Sequence, residues 1–502
     1  MFIHIQGSNM KIITALIVTL GLASTASLAK SKNSLFNEVA IETELTLSQP
    51  VYPIDLLPNP GKELMLIGTL GGQQYIDIYG ASESALYNRI KRVSVPNSML
   101  GFDVTQWQNA QQQVYLFSAE AIYQLQLEKD QSIERIIDIQ TYLKKDNAQH
   151  LSKMDFVHNV NVDQKADFLT TDLNASFLYL SDDSGYNKVN LDLPARLVIE
   201  GHSAEIDPPR FAFFDTNEDQ VSELIGFQNG ELKLLPSINS ANAQAIKLKD
   251  DIMVDDWWHT KDADGESLDQ SNLVYRKLER IEDVNHDGIF DLVVRFTKSS
   301  GALDRQNDYE IYLGAIESGK IVFQQDTTSL IQDEGTLTDL TFVDINGDKQ
   351  LEALVSGFDI GVSQIIGALL SGSISQDVHL FYQNEQGRFS PKNKITREVE
   401  LSFSISKGRS GSPVVLFADV NGDGKKDWVL SDEQKAVNVY LAKNYRDFER
   451  RATKFKTTLP MMGRRVVSAD LNQDGKDDLV MSYGRLDEEK MRNTIKILFA
   501  QS

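Results

Sequence analysis

Asp283, Asn285, Asp287 and Asp291 occupy the first, third, fifth and ninth places of a nine-residue stretch of the form DxNxDGxxD. The same stretch returns as Asp419, Asn421, Asp423 and Asp427, and again as Asp470, Asn472, Asp474 and Asp478. Two further copies carry one change each among these four places: Asp344, Asn346, Asp348 and Glu352, and Asp215, Asn217, Asp219 and Glu223. A weaker sixth copy, Asn159, Asn161, Asp163 and Asp167, opens on an amide. Side-chain oxygens at alternate places, with a Gly that allows a sharp turn, are what a hard divalent cation needs. Every candidate ligand is an oxygen and none is His or Cys, so the pattern predicts Ca²⁺, at several sites, over zinc or copper. Asp, Asn and Gly are also ordinary turn formers. A turn, however, has no use for a carboxylate at the ninth place, and five close copies end in one.

Few other residues announce chemistry. The segment from Asp250 places Trp257, Trp258 and His259 among several acids. Aromatic faces flanked by carboxylates suit a sugar, so these three are a candidate ligand site; packing of the insertion against its own domain is the plainer alternative. A second insertion from Phe358 is apolar, rich in Gly and Ser, and free of Lys and Arg. The run GRSGSP at Gly408 lacks the last Gly of a nucleophile elbow and reads as a turn. No catalytic residue is assigned.

The elements that must hold these loops follow from their flanks. Each loop sits between two short runs rich in Val, Ile, Leu and Phe, as in VVLFADVNGDGKKDWVLS from Val414. That is the signature of two strands joined by an acidic turn. The loops begin at 159, 215, 283, 344, 419 and 470, spacings of 51 to 75 residues. One four-stranded unit fits that spacing better than a β-helix coil does. Two units upstream, from Tyr52 and from Met99, keep the strands and lose the metal loop. The last unit runs out of chain after three strands, and the unassigned run Val39 to Leu47 is the candidate fourth. The expectation is an all-β chain: a β-propeller of four-stranded blades, eight favoured and seven the alternative, closed by its N-terminal strand. One domain then spans 30–502, with 39–47 as closing strand, degenerate blades over 52–150, loop-bearing blades over 151–502 and insertions near 250–270 and 358–378.

On these loops and strands the chain resembles the FG-GAP/VCBS repeat family, whose integrin-α-like propellers bind Ca²⁺ between the first two strands of a blade. The resemblance is good over Met154 to Ser502 and weak over Tyr52 to His150. It implies structural calcium and a ligand-binding or adhesion role, with polysaccharide lyase activity in some bacterial relatives. Asn159, Gln164, Gln220 and Lys349 depart from the pattern and weaken the expected binding in their three loops.

Composition limits partners and place. A formal charge of −22 over 502 residues repels nucleic acid and anionic lipid, and suits divalent cations. The chain has no cysteine, so neither disulfides nor thiolates contribute. Met10-Lys11, an apolar run to Ala23 and small residues ending at Ala29 read as a signal peptide over 1–29, predicting export to the periplasm or beyond. No later run is long and apolar enough to span a membrane. Two function classes follow: a binding or adhesion module for a glycan or protein ligand, which is favoured, and a carbohydrate-active lyase or hydrolase on the same scaffold.

Overall fold

The computed structural model describes residues 34–501 except 82–86, 106–110, 130–131, 145–149, 162, 201–202, 216–220, 229–230, 236–243, 247, 250, 254–272, 302–303, 319, 325–326, 328, 359–372, 405–408 and 445. The expected signal peptide, Asn217, Asp219, Trp257, Trp258, His259 and most of the second insertion lie outside the described residues.

Among the described residues the regular elements are strands, with two short 3₁₀ turns, Gly463–Arg465 and Glu489–Met491. The recurring unit is an antiparallel meander. Val415–Ala418, Asp427–Asp432, Ala436–Tyr440 and Thr453–Lys456 pair in that order, and Val157–His158, Asp167–Thr171, Ser176–Asp182 and Gly185–Asn190 do the same. Arg210–Phe214, Glu223–Gln228, Glu231–Leu235 and Gln244–Ile246 form a third such sheet. The meanders starting at Leu273–Glu282 and Thr336–Val343 join into one larger sheet through a single parallel residue pair, Asn307 with Thr336.

Strand faces explain why the sheets stack. Asp478–Ser482 and Val114–Ser118 are buried at every residue. A strand buried on both faces requires a neighbour on each side. Hydrophobic clusters accordingly bridge successive sheets: Ile345, Leu354 and Leu380 pack with Trp428 and Leu430 of the next unit. Trp428 is fully buried and stacks on Phe417 with ring centroids 5.6 Å apart.

The first and last described strands meet. Phe36–Glu42 runs antiparallel to Thr494–Ala500, from Phe36 opposite Ala500 to Glu42 opposite Thr494, and completes the sheet of Val466–Ala469 and Asp478–Ser482. The run expected as one strand over Val39 to Leu47 is therefore two. It breaks at Thr43, whose hydroxyl accepts the Leu45 N–H and donates to the Leu45 carbonyl. Thr46–Leu47 then pairs with Glu63–Leu70 in the adjoining sheet. Val39 and Ile41 share one apolar cluster with Leu64, Leu66, Leu471 and Val480, so this segment ties the first sheet to the last.

Candidate metal centre

Each acidic loop leaves the first strand of a meander and enters the second. In five of the six the second residue is an apolar plug: Val160, Val284, Ile345, Val420 and Leu471 are all buried, at most 4% exposed. With the plug fixed, the polar residues on either side fold over it as a string of side-chain-to-backbone turns. At the first place, Asp283 accepts the N–H groups of Asp287 (3.1 Å) and Gly288 (3.0 Å). Asp419 accepts those of Gly422, Asp423 and Gly424, and Asp470 those of Asp474 and Gly475. At the third place Asn285, Asn346, Asn421 and Asn472 accept the N–H of the fifth residue. At the fifth, Asp287, Asp348, Asp423 and Asp474 accept the N–H of the seventh.

Two places need left-handed backbone. The sixth was foreseeable from its Gly: Gly288, Gly424 and Gly475 have φ of 83°, 80° and 81°. Lys349 and Gln164 take the same region at 70° and 60° without that freedom. The fourth place is left-handed too, at His286, Gly347, Gly422 and Gln473 (57°, 76°, 73° and 58°). No sequence regularity marks it, since Gly stands there in only two of these four loops.

The ninth residue behaves differently from the rest. Asp291, Asp427 and Asp478 are completely buried, Glu352 and Glu223 nearly so. One oxygen of Asp291 accepts the N–H of the plug, Val284 (3.0 Å), and the other the N–H of Gly314 beyond the third strand (2.8 Å). Asp427 bridges Val420 and Ala442, Asp478 bridges Leu471 and Ala500, and Asp167 bridges Val160 and Ser181. Glu352 accepts the N–H of Ile345. These carboxylates staple the loop to the sheet below it. Burial pushes the carboxyls of Asp291, Glu352 and Asp478 up to about 7 and that of Asp427 to about 6, against the lowering effect of these backbone bonds; the acids at the first and fifth places push the same way.

The degenerate first unit keeps this staple. Glu63, 1% exposed, accepts the N–H groups of Leu56 and Leu57 and the amide of Asn59. Counting back eight places from Glu63 gives Asp55, with Leu57 where a metal loop has Asn. The spacing to a buried acid was visible in the sequence, but the missing oxygen hid it.

Loops also touch their neighbours. Asp477 donates its N–H to the Asp419 carbonyl and accepts the Asp419 N–H and Lys426 Nζ. Leu351 donates to the Val284 carbonyl, Ser222 to that of Val160, and Lys62 to that of Leu471.

The donor set fits an oxygen-seeking cation in part. In two complete loops the Asn amide reaches the carboxylate at the fifth place, Asn285 Nδ2 to Asp287 Oδ2 at 2.9 Å and Asn472 Nδ2 to Asp474 Oδ2 at 3.3 Å, while the first Asp holds backbone N–H groups of the same turn. Among the described residues no three His, Asp or Glu side chains already converge as a cage. Of the weaker loop, Asn159 Oδ1 is buried without a hydrogen-bond partner. Of the loop at Asp215, the described Glu223 keeps the buried ninth position.

A further constellation escaped the sequence. His379 and Thr396 face each other across two strands, with Nδ1 and Oγ1 2.9 Å apart, and Asp333 Oδ2 is 3.1 Å from Nε2. Burial holds the imidazole below its ordinary pKa although Asp333 opposes this. Lys394 also binds Asp333, and Gly357 leaves no room above the ring. The group braces a strand pair from residues 63 positions apart.

Residues 419–481, which hold the last two complete loops, match the model of the FG-GAP-like repeat. No curated protein matches the chain. Among solved structures, the biofilm matrix protein Bap1 of V. cholerae aligns over 92% of this chain and 89% of its own at 11% identity, with a TM-score of 0.39. An Agrocybe aegerita lectin, described as recognising non-reducing terminal N-acetylglucosamine, aligns over 82% and 91% at 11% identity and a TM-score of 0.34. BBS1N, in its complex with ARL6DN, aligns over 92% and 94% at 9% identity and 0.35.

Proposed function

We propose that this chain is an exported, calcium-stabilised β-propeller of the VCBS/integrin-α-like kind that presents a ligand-binding or adhesion surface. The observation that carries the reading is the repetition of one loop geometry at Asp283, Asp344, Asp419 and Asp470, each with two acids and an amide interlocked above a buried carboxylate. Such a grouping of like charge opposes folding unless a cation offsets it. Asp, Asn and Asp at the first, third and fifth places would hold Ca²⁺ with a backbone carbonyl at the seventh; the ion would supply charge and rigidity, with no part in chemistry. Ring closure is supported by the sharing of Phe36–Glu42 and Thr46–Leu47 between the last sheet and the first. It is supported equally by apolar clusters on both sides of the last sheet. Closing a sheet array removes the exposed edges that invite aggregation, and eight blades is the count we favour.

Native mass spectrometry of the chain after exchange into calcium tests the reading. Several bound calcium ions are expected, all lost in EGTA, with a melting temperature that falls on chelation and returns with Ca²⁺ more than with Mg²⁺. An ion at a hundredfold excess over Kd contributes about 2.7 kcal/mol per site, so several sites give a large shift. A calcium-free spectrum and a melting temperature indifferent to EGTA would reduce the loops to turns.

A further inference from the structure

The eighth place of the acidic loops lies between the seventh, whose carbonyl is a candidate ligand, and the buried ninth. No residue type marks it: Ser222, Leu351 and Asp477 stand there, and Lys62 in the degenerate loop of the first unit. Its backbone nevertheless does one thing in all four. Each N–H leaves its own loop and donates to a carbonyl at the first or second place of another loop: Ser222 to Val160 (2.8 Å), Leu351 to Val284 (3.0 Å), Asp477 to Asp419 (2.7 Å) and Lys62 to Leu471 (2.9 Å). In the first three the acceptor belongs to the loop just before in sequence, and the fourth joins the first unit to the last in the same way. The loops at Asp419 and Asp470 are fastened most fully. Asp477 Oδ2 also accepts the Asp419 N–H (2.8 Å) and binds Lys426 Nζ (2.6 Å), so one residue of the later loop holds both backbone groups of the earlier loop's first Asp. Gly422 lies against the same loop: a Cβ there would come within 3.1 Å of Lys476 Cγ and 3.4 Å of the Gly475 carbonyl oxygen. Between the loops at Asp283 and Asp344, the Gln383 amide adds a second tie by donating to both the Val284 and the Leu351 carbonyls.

We propose that calcium binding in adjacent loops is cooperative, with the eighth residue as the link and Asp477 as its strongest instance. The proposal rests on the calcium reading above and adds how the sites communicate. An ion in the Asp470 loop fixes the chain at Lys476, next to Asp477, and Asp477 in turn fixes Asp419. A second ion at Asp419 then has less chain to order and binds more tightly. Linkage is reciprocal, so an ion at Asp419 favours one at Asp470 by the same factor. The sign separates this route from plain electrostatics. Emptying the Asp470 loop by Asp470→Ala takes away a divalent cation and one carboxylate, a net change that favours a cation in the neighbouring loop. A bonded link predicts the opposite.

The test titrates the intact chain, carrying isotope-labelled glycine, with calcium and follows single amides by NMR. Gly424 and Gly475 report their own loops, since each donates its N–H to the first Asp there. Gly288, whose loop is joined to Leu351 instead, is the internal reference. The Gly424 and Gly475 curves are expected to rise more steeply than a single-site curve. In Asp470→Ala the Gly424 midpoint should move to roughly fivefold higher calcium or more, and in Asp419→Ala the Gly475 midpoint by the same factor, with Gly288 unmoved. In an Asp477→Ala background that factor should fall to about twofold or less, whereas Asp477→Asn, which keeps an acceptor for the Asp419 N–H, should retain most of it. A Gly424 midpoint that stays in place or falls to lower calcium in Asp470→Ala overturns the proposal and leaves the calcium reading standing. So does a coupling that Asp477→Ala leaves intact. Amides of the parent chain that ignore calcium would overturn both.

Discussion

The loop at Asp470 and the loop at Asp55 have the same skeleton and different surfaces. Both tie a buried acid, Asp478 or Glu63, to the N–H of an apolar residue seven places earlier, Leu471 or Leu56. The first adds Asp470, Asn472 and Asp474 above that tie, and the second has Asp55, Leu57 and Asn59. The staple thus persists where the oxygen set has decayed. In these two loops the ninth carboxylate serves the strand–loop–strand geometry whether or not the oxygens at the first, third and fifth places are complete. A buried backbone N–H that loses its carboxylate acceptor is costly wherever it occurs, whereas surface oxygens matter mainly if an ion uses them.

The largest effect should come from the N-terminal region that has no complete metal loop. A chain beginning at Tyr52 loses both Phe36–Glu42 and Thr46–Leu47, which exposes strand edges on two sheets. It is expected to aggregate or melt far below a chain beginning at Lys30, in calcium as in EGTA, by scattering and calorimetry. Equal behaviour would show that the end-to-end pairing contributes little.

Next come the staples. Asp478→Ala removes the acceptor of two buried N–H groups and should cost about 3–5 kcal/mol by denaturant titration. Glu63→Ala should cost a similar amount. If the staple is separable from the ion, the Glu63→Ala cost is the same in calcium and in EGTA. A cost that disappears in EGTA would make Glu63 part of a metal site.

The oxygen set should give a smaller, calcium-dependent effect. Asp474→Ala is expected to lower stability in calcium by about 2–3 kcal/mol more than Asp163→Ala, whose loop has Asn159 first and Gln164 sixth. In EGTA the difference should shrink below about 1 kcal/mol, since each then loses only exposed turn bonds. A gap that survives chelation would assign Asp474 to the turn alone.

The smallest effect is in pH. Without metal, Asp291, Glu352 and Asp478 titrate near 7 when folded, and at about 4 when unfolded. The folded chain keeps protons that the unfolded chain has released, so the contribution of these groups is full below about pH 4 and declines as pH rises through 7. In EGTA, stability should fall over that window; in calcium, whose charge favours the ionised acids, the fall should flatten. A rise with pH in EGTA would mean that these acids ionise freely in the fold.

Much of this protein was readable from local order. Apolar runs of strand length on either side of each acidic stretch gave the all-β character, because alternate burial and tight turns are short-range demands. The oxygen set at the first, third and fifth places, and the Gly at the sixth, were visible for the same reason: each acts within a few residues of itself. What lay beyond the sequence depends on distant partners. Whether an Asp at the ninth place coordinates an ion or staples two N–H groups depends on where Gly314, Ala442 or Ala500 arrives, 15 to 23 residues later. Thr43 divides a strand-like run because one half finds Thr494–Ala500 and the other Glu63–Leu70. Ser222, Leu351, Asp477 and Lys62 are unremarkable where they stand in the chain. Only the packing of one unit against another turns their N–H groups to a neighbouring loop, because those bonds belong to the assembled sheets and to no single segment.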